Sequence, residues 1–255
     1  MKINQLYFSP TGGTEKVVRL LSNVFSGEQC AIDFSVAQRE YADCVFEQGE
    51  LCIIGVPSFG GRAPALAIQR LAQMKAFGTP TVLVVAYGNR DFDDTLLELQ
   101  DTVRARGFHV IAAIAAVTEH SIMHQFGTGR PQESDCSELC AYAEKIKQAL
   151  ATNQELPEAL VPGNTPYREY GGLPMKPKAG KDCNGCGACV LACPAGAISP
   201  ENPRETRTDL CITCMRCVAR CPQHARSIHP ALLFAAGKKM HKSCSSPKAN
   251  LLFLG

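Results

Sequence analysis

No uninterrupted apolar run in this chain reaches the roughly 18–20 residues of a membrane span, so no crossing helix is expected. The start, Met1 to Gln5, lacks the apolar centre of a signal peptide, and a cytoplasmic protein is expected. Two common phosphate-binding patterns are also missing. No Gly-Lys-Ser/Thr closes a Walker-type loop, and no Gly-x-Gly-x-x-Gly marks a dinucleotide site. Net charge is scarce at +2, but it is unevenly placed: residues 1–150 sum to −4 and residues 151–255 to +6. Hydrophobic content of 45% is ordinary for a globular chain, and 255 residues suffice for one large core or two modest domains.

Cysteine, by contrast, is abundant. Eight of the 14 crowd into the 39 residues from Cys183 to Cys221, as Cys183-x2-Cys186-x2-Cys189-x3-Cys193-Pro194 and again as Cys211-x2-Cys214-x2-Cys217-x3-Cys221-Pro222. This pitch points to reduced metal thiolates in a reducing compartment, not to secreted disulfides. Three cysteines so spaced wrap a tight turn that aims their sulfurs at three corners of a cube. The fourth, beside proline, reaches across to the other cluster. Two 4Fe–4S clusters are therefore expected, one on Cys183, Cys186, Cys189 and Cys221, the other on Cys211, Cys214, Cys217 and Cys193. Gly185 and Gly187 suit the unusual backbone angles of such a turn. Structural zinc also takes four thiolates, but zinc ribbons use separate pairs and do not need this pitch twice over. The module resembles the bacterial-type ferredoxin with two 4Fe–4S clusters, a resemblance that covers all eight ligands.

Ionised thiolates would leave each cluster unit near −2 and remove about four charges from the basic half. The basic residues are thus read as balancing the clusters, and no nucleic-acid partner is expected. Cys30, Cys44, Cys52, Cys136, Cys140 and Cys244 lack metal-ligand spacing. Cys52 is read as core, and Cys136 and Cys140, on one helix face, as a buried pair.

Ahead of the cysteines, β-branched runs alternate with helical patterns. Strands are predicted at Ile3–Phe8, Ala31–Phe34, Leu51–Val56, Thr81–Ala86 and Val110–Ala116. Helices are predicted at Glu15–Phe25, Pro64–Lys75, Asp94–Arg106 and Cys136–Ala151, the last with Ser134 as its cap. The expected fold class is α/β: a flavodoxin-like, doubly wound, five-stranded parallel sheet followed by a small α+β ferredoxin-like two-cluster domain. Residues 1–151 form the first domain, 152–180 a Pro/Gly-rich linker, 181–230 the cluster domain and 231–255 a C-terminal helix and tail. The helix, Ala231–Lys242, is apolar early and basic late. It is expected to pack on the core, with a membrane-surface anchor as the other reading.

Three loops fall at the carboxyl ends of predicted strands, where a doubly wound sheet presents its ligand. Ser9-Pro10-Thr11-Gly12-Gly13-Thr14 opens the first helix, offering hydroxyls, free N–H groups and a positive helix end to a phosphate monoester; an ordinary helix cap is the alternative. Pro57-Ser58-Phe59-Gly60-Gly61-Arg62 ends the third strand, and Ala86-Tyr87-Gly88-Asn89-Arg90-Asp91-Phe92-Asp93 the fourth. Each of the latter two carries an aromatic that could stack on a planar ring. Together the loops point to FMN. Glu119 and His120 follow the fifth strand on the same edge, and His120 is a candidate proton donor, or else a structural histidine.

Residues 1–150 resemble flavodoxins in the order of loops and strands. The whole chain is similar to the flavodoxin–ferredoxin fusion proteins of anaerobic microbes, in which segments like Tyr87-Gly88-Asn89-Arg90 and Glu119-His120-Ser121 recur. The resemblance implies that Ser9, Thr11, Gly12, Gly13 and Thr14 hold the FMN phosphate, while Phe59 and Phe92 flank the ring. The chain departs from standard flavodoxins at Phe59, where Trp is common, and in the basic Arg90 of the third loop.

A flavin exchanges one or two electrons and each cluster one, so joining them changes electron number. The leading reading is an electron-transfer protein between FMN, the clusters and soluble redox partners. The rival is a flavin-dependent oxidoreductase that reduces a small substrate with cluster-delivered electrons, for which Arg62, Arg90 and His120 are the candidate polar groups. No nicotinamide-binding domain or output module is visible.

Overall fold

The β-branched runs become strands because both faces of the sheet they form are covered. In the computed structural model, which describes residues 1–37, 40–152 and 156–255, the elements are, in order, β1 (Lys2–Tyr7), α1 (Gly13–Ser22), β2 (Glu28–Asp33), β3 (Val45–Phe46), β4 (Leu51–Pro57), α2 (Ala65–Leu71), β5 (Lys75–Ala76), β6 (Thr79–Tyr87), α3 (Thr95–Arg104), β7 (Phe108–Val117) and α4 (Glu133–Leu150). There follow β8 (Lys178–Ala179), α5 (Ala188–Ala192), α6 (Arg216–Ala219), β9 (Arg226–Ser227), α7 (Pro230–Cys244) and β10 (Leu251–Leu254). The main sheet has six strands in the order β10-β7-β6-β4-β1-β2. All of its neighbours pair in parallel except β10, which runs antiparallel to β7. Counted alone, the five parallel strands take the flavodoxin order 2-1-3-4-5, and the order reverses between β1 and β4.

Each face of the sheet buries its own apolar layer. Phe8, Ile54, Leu83 and Val117 pack under α2 and α3, while Ile3, Ile53, Val84 and Ile114 pack under α1 and α4. On β4, Leu51 through Ile54 and Val56 have no exposed surface. Gly55 in the same strand lets α1 approach; a Cβ there would lie 2.5 Å from Val18 and 2.9 Å from Thr14. Truncating a residue such as Ile54 to alanine should cost about 2–5 kcal/mol.

Several details depart from the sequence reading. The last long helix starts earlier than expected, with Gln132 rather than Ser134 as its cap. The carboxylate of Asp135 takes the Gln132 N–H in a capping box. The expected tail holds a sixth strand. Leu251–Leu254 pair with Ala112–Ala115 and cover the edge of β7 after the cysteine module has intervened. Asn250 fixes this return: its side chain accepts from Val117 N and donates to Asp135 and Glu138. Cys52 is core as expected, whereas Cys136 and Cys140 are only half-buried. α7 packs Leu233, Ala236 and Met240 against Met175 and Met215, and leaves Leu232 and Phe234 exposed. Among the described residues no helix is long and apolar enough to cross a membrane.

From residue 156 onward the Pro/Gly-rich stretch is extended but not loose. Ala159 N donates to Val110 O, and the Asp94 carboxylate takes the N–H groups of Asn164 and Arg168. The first bond holds the segment at the amino end of β7, and the Asp94 bonds hold it at the carboxyl end of the sheet, next to the third loop.

Candidate functional site

The first loop is held from both sides. Ser9 N donates to Ser35 Oγ at 2.7 Å, and Ser9 O accepts from the Arg216 guanidinium at 3.2 Å. Ser9 Oγ accepts from Glu15 N at 2.9 Å, so this hydroxyl caps α1 as well. Gly12 turns the chain with φ +93°, and the N–H groups of Gly13 and Thr14 open α1, where a helix has no partners of its own for them. The Thr14 hydroxyl side chain is buried beside them. Hydroxyls, unpaired amides and the positive end of a ten-residue helix converge on one spot.

The second loop is a tight turn. Phe59 and Arg62 pair across it, with Phe59 N to Arg62 O at 2.8 Å, and Gly60 and Gly61 take φ of +61° and +86°. Two consecutive left-handed residues are what a primed two-residue turn demands. A Cβ on Gly60 would lie 2.3 Å from the Tyr170 ring. Both glycines therefore have a plain geometric reason. Arg62 is occupied: its fork grips Glu98 at 2.8 and 2.6 Å, and its third nitrogen donates to Arg168 O.

The third loop divides. Ala86 and Gly88 line the cavity described below, and Gly88 must lack a side chain there because a Cβ would lie 2.7 Å from His120 Cδ2. Tyr87, Asn89, Phe92 and Asp93 turn elsewhere. Phe92 does not flank a ring site: it is 7% exposed, packed in the core, edge-on to Tyr87 at 5.4 Å. Tyr87 donates its hydroxyl to Ala249 O. Asn89 binds Cys244 O, Ser246 O and Lys248 N, and so ties down the chain after α7. Asp93 pairs with Arg90 and Arg168.

His120 is partly buried, and its Nδ1 accepts two backbone N–H groups, from Ile122 at 3.1 Å and Met123 at 3.2 Å. That geometry places the ring hydrogen on Nε2. Burial pushes its pKa down to about 4, so the ring is neutral near pH 7. Glu119 accepts from Gly129 N and pairs with His124, bonds that hold its carboxylate below the usual range.

These groups line two adjoining cavities. A narrow cavity runs from Ser9, Thr11, Gly13 and Thr14 past Ser58 and Phe59 to Ala86, Gly88 and His120. It shares Ser58, Phe59, Gly88, His120 and Ser121 with a larger, more apolar one of about 480 Å³. Tyr170, Leu173 and Met175 from the extended segment line the latter, with Ala236, Lys239 and Met240 from α7. Sequence reasoning missed all six, since no periodicity or motif marks them. It also missed that Cys214 lines the smaller cavity and Thr213 the larger.

Within the cysteine module, Cys193, Cys211, Cys214 and Cys217 line a small cavity, closed by Ile198, Ile212 and Met215. Cys214 is buried, and burial pushes its thiol up to about 12; that of Cys217 rises to about 11 for the same reason, against the pull of Arg226. Cys183, Cys186, Cys189 and Cys221 form the remaining set, and Cys186 is exposed. The two halves repeat their backbone. Left-handed angles occur at Gly185, Gly187 and Gly196 and recur at the matching Thr213, Met215 and His224. Among the described residues no three or more His, Cys, Asp or Glu are set to hold a single metal ion.

The module is clasped to the sheet by two buried arginines. Arg216 donates to Ser9 O and to Asp33 Oδ2 at 3.1 Å. Arg70 donates to Phe34 O and Pro194 O.

Residues 182–226 match the 4Fe-4S dicluster domain family. No curated protein matches the chain. Among solved structures the chain is similar to oxidised flavodoxin 1 from Bacillus cereus, at 15% identity and a TM-score of 0.43, over 58% of this chain and 98% of that one. The flavodoxin of Fusobacterium nucleatum bound to flavin mononucleotide is similar at 15% identity and 0.41, over 58% and 98%. Rubredoxin oxygen:oxidoreductase from the anaerobe Desulfovibrio gigas is similar at 16% and 0.43, over 59% of this chain and 36% of that one. The chain thus joins an α/β domain with the 2-1-3-4-5 strand order of the flavodoxin-like fold to a segment, residues 182–226, that matches the 4Fe-4S dicluster domain family.

Proposed function

We propose that this chain is an electron-transfer protein holding FMN and two 4Fe–4S clusters, which exchanges electrons with external redox proteins. The observation that carries the reading is that Cys214 lines the same cavity as the first and second loops. A flavin seated there would have a cluster ligand as its wall.

The residues fit the groups. Ser9, Thr11, Gly12, Gly13 and Thr14 would hold a terminal phosphate through amides and hydroxyls, a donor set suited to FMN more than to the bridging diphosphate of FAD. Pro57, Ser58 and Phe59, with the turn at Gly60 and Gly61, would border the ring on one side, and the backbone of Ala86 and Gly88 on another. His120 would present a neutral Nε2–H donor, not a mobile proton, because its imidazolium would aim Nδ1–H at two N–H groups. Cys193, Cys211, Cys214 and Cys217 would hold the cluster beside the cavity, and Cys183, Cys186, Cys189 and Cys221 the other. FMN supplies exchange of one or two electrons and each cluster of one.

The arrangement has a direction. Cys214 of one set lines the cavity, and Cys186 of the other is exposed, as a carrier addressed by another protein requires. Tyr170, Leu173, Met175 and Met240 line the larger cavity together with Arg90, Arg168 and Lys239. The domain limits proposed are 1–151 and 181–230, with the segment between and α7 packed over the shared space.

Rapid mixing of the oxidised holoprotein with limiting photoreduced donor tests this. The flavin and cluster absorbances should re-equilibrate in a first-order phase whose rate is independent of protein concentration. A phase that scales with concentration would show the centres to be out of reach within one chain.

A further inference from the structure

Residues 193–198 and 221–226 are one turn built twice: Cys193-Pro194-Ala195-Gly196-Ala197-Ile198 and Cys221-Pro222-Gln223-His224-Ala225-Arg226. In each, the alanine N–H donates to the cysteine sulfur, at 3.2 Å from Ala197 and 3.3 Å from Ala225. In each, the third residue after cysteine is left-handed, at Gly196 and His224. The last position breaks the repeat. Ile198 is 3% exposed and packs with Cys189 and Cys217. Its counterpart, Arg226, is 2% exposed and carries a charge.

A buried guanidinium is costly unless something negative faces it. None of the ion pairs among the described residues includes Arg226. Its Nη1 donates to Pro203 O at 2.8 Å and to Cys189 Sγ at 3.6 Å. Its Nη2 donates to Thr206 Oγ1 and Pro177 O. Nε is buried without a partner among the described residues. The Cys189 that it reaches packs with Cys217, whose thiol the guanidinium also pulls down. Cys189 belongs to one cysteine set and Cys217 to the other, so one cation is shared by both.

We propose that Arg226 is a fixed counter-charge between the two clusters, a positioning residue that raises the reduction potential of each. This rests on the two-cluster reading above. Each cluster that takes up one electron from reduced flavin becomes one unit more negative, and the guanidinium, ionised before and after, moves no proton. A stationary positive charge therefore stabilises the reduced form of either cluster more than the oxidised form. The carbonyls of Pro203 and Pro177 and the Thr206 hydroxyl hold the fork in place.

The test is an EPR-monitored redox titration of the full-length holoprotein, with iron and sulfide assayed in parallel. Arg226→Ile restores the residue of the first repeat. It should retain the iron and make both clusters harder to reduce, each by about tenfold in the one-electron equilibrium, or about 59 mV. Arg226→Lys keeps the charge and should leave both within about threefold of wild type. Unchanged potentials, a shift in one cluster alone, or a lysine variant as low as the isoleucine one would overturn the proposal. If the isoleucine variant loses iron, Arg226→Gln carries the same expectation, and loss of iron in both marks a purely structural residue and also overturns it. A wild-type protein with about four iron per chain would instead fail the two-cluster reading itself.

Discussion

Replacing Arg216 with methionine should weaken FMN binding although the arginine belongs to the cysteine module. Arg216 donates to Ser9 O and to Asp33 Oδ2, Asp33 Oδ1 accepts from Ser35 N, and Ser35 Oγ accepts from Ser9 N. The phosphate loop is thus gripped at both ends of Ser9 by one network that runs through the module. Removing a fully buried partner of a charge pair costs about 3–5 kcal/mol, but the Asp33 side chain is 26% exposed and water can repair part of the loss. Methionine fills a similar volume and recovers some desolvation. A net loss of about 2 kcal/mol in stability is the resulting expectation, with FMN affinity lowered about tenfold, which corresponds to about 1.4 kcal/mol. Fluorescence titration of flavin into the flavin-free protein measures the second, and urea denaturation the first. Asp33→Asn on both backgrounds should show a coupling of about 1–2 kcal/mol. An Arg216→Met protein with intact iron, an unchanged urea midpoint and unchanged FMN affinity would refute the coupling between module and loop.

Thr14→Ala should weaken FMN by about 1 kcal/mol or more in the same titration, since a hydrogen bond to a charged group is worth roughly 1.5–3 kcal/mol; unchanged affinity would mean that the hydroxyl faces elsewhere. The folded His120 pKa of about 4 lies below its unfolded value of about 6.5, so the unfolded chain binds the extra proton between those values. This contribution is fully present above about pH 6.5 and fades as pH falls towards 4. From about pH 7 to about pH 5 wild type should lose about 2 kcal/mol more stability than His120→Gln, and parallel loss in the two proteins would contradict the buried neutral ring. Cys193→Ser should damage the cluster of Cys211, Cys214 and Cys217, not the one nearest in sequence. EPR of the reduced variant reads which signal survives, and loss of the other one would refute the crossed assignment.

Much of this was legible because local chemistry decided it. The runs Leu51–Val56 and Val110–Ala116 are apolar on both faces, which only a covered parallel strand tolerates, and the structure extends them by a residue or two. The cysteine pitch is short-range and repeats. What stayed hidden depended on distant partners. Leu251–Leu254 carries no strand signal of its own and becomes one because the edge of β7 is open to it. Phe92 sits among polar residues, which suggested a ring exposed to a ligand. The turn into α3 folds it onto Tyr87 instead. Proline and glycine marked 152–180 as a linker, and composition could not reveal that Tyr170, Leu173 and Met175 would border the cavity. Ser134 looked like a cap by residue type, but Asp135 supplied the better acceptor for Gln132 N.

The central claim is that one chain carries FMN beside two iron–sulfur clusters. Anaerobically purified full-length protein, analysed for iron, acid-labile sulfide, zinc and released flavin, tests it most directly. About eight iron, about eight sulfide and about one FMN per chain are predicted. Zinc without acid-labile sulfide, or FAD as the released flavin, would contradict the account.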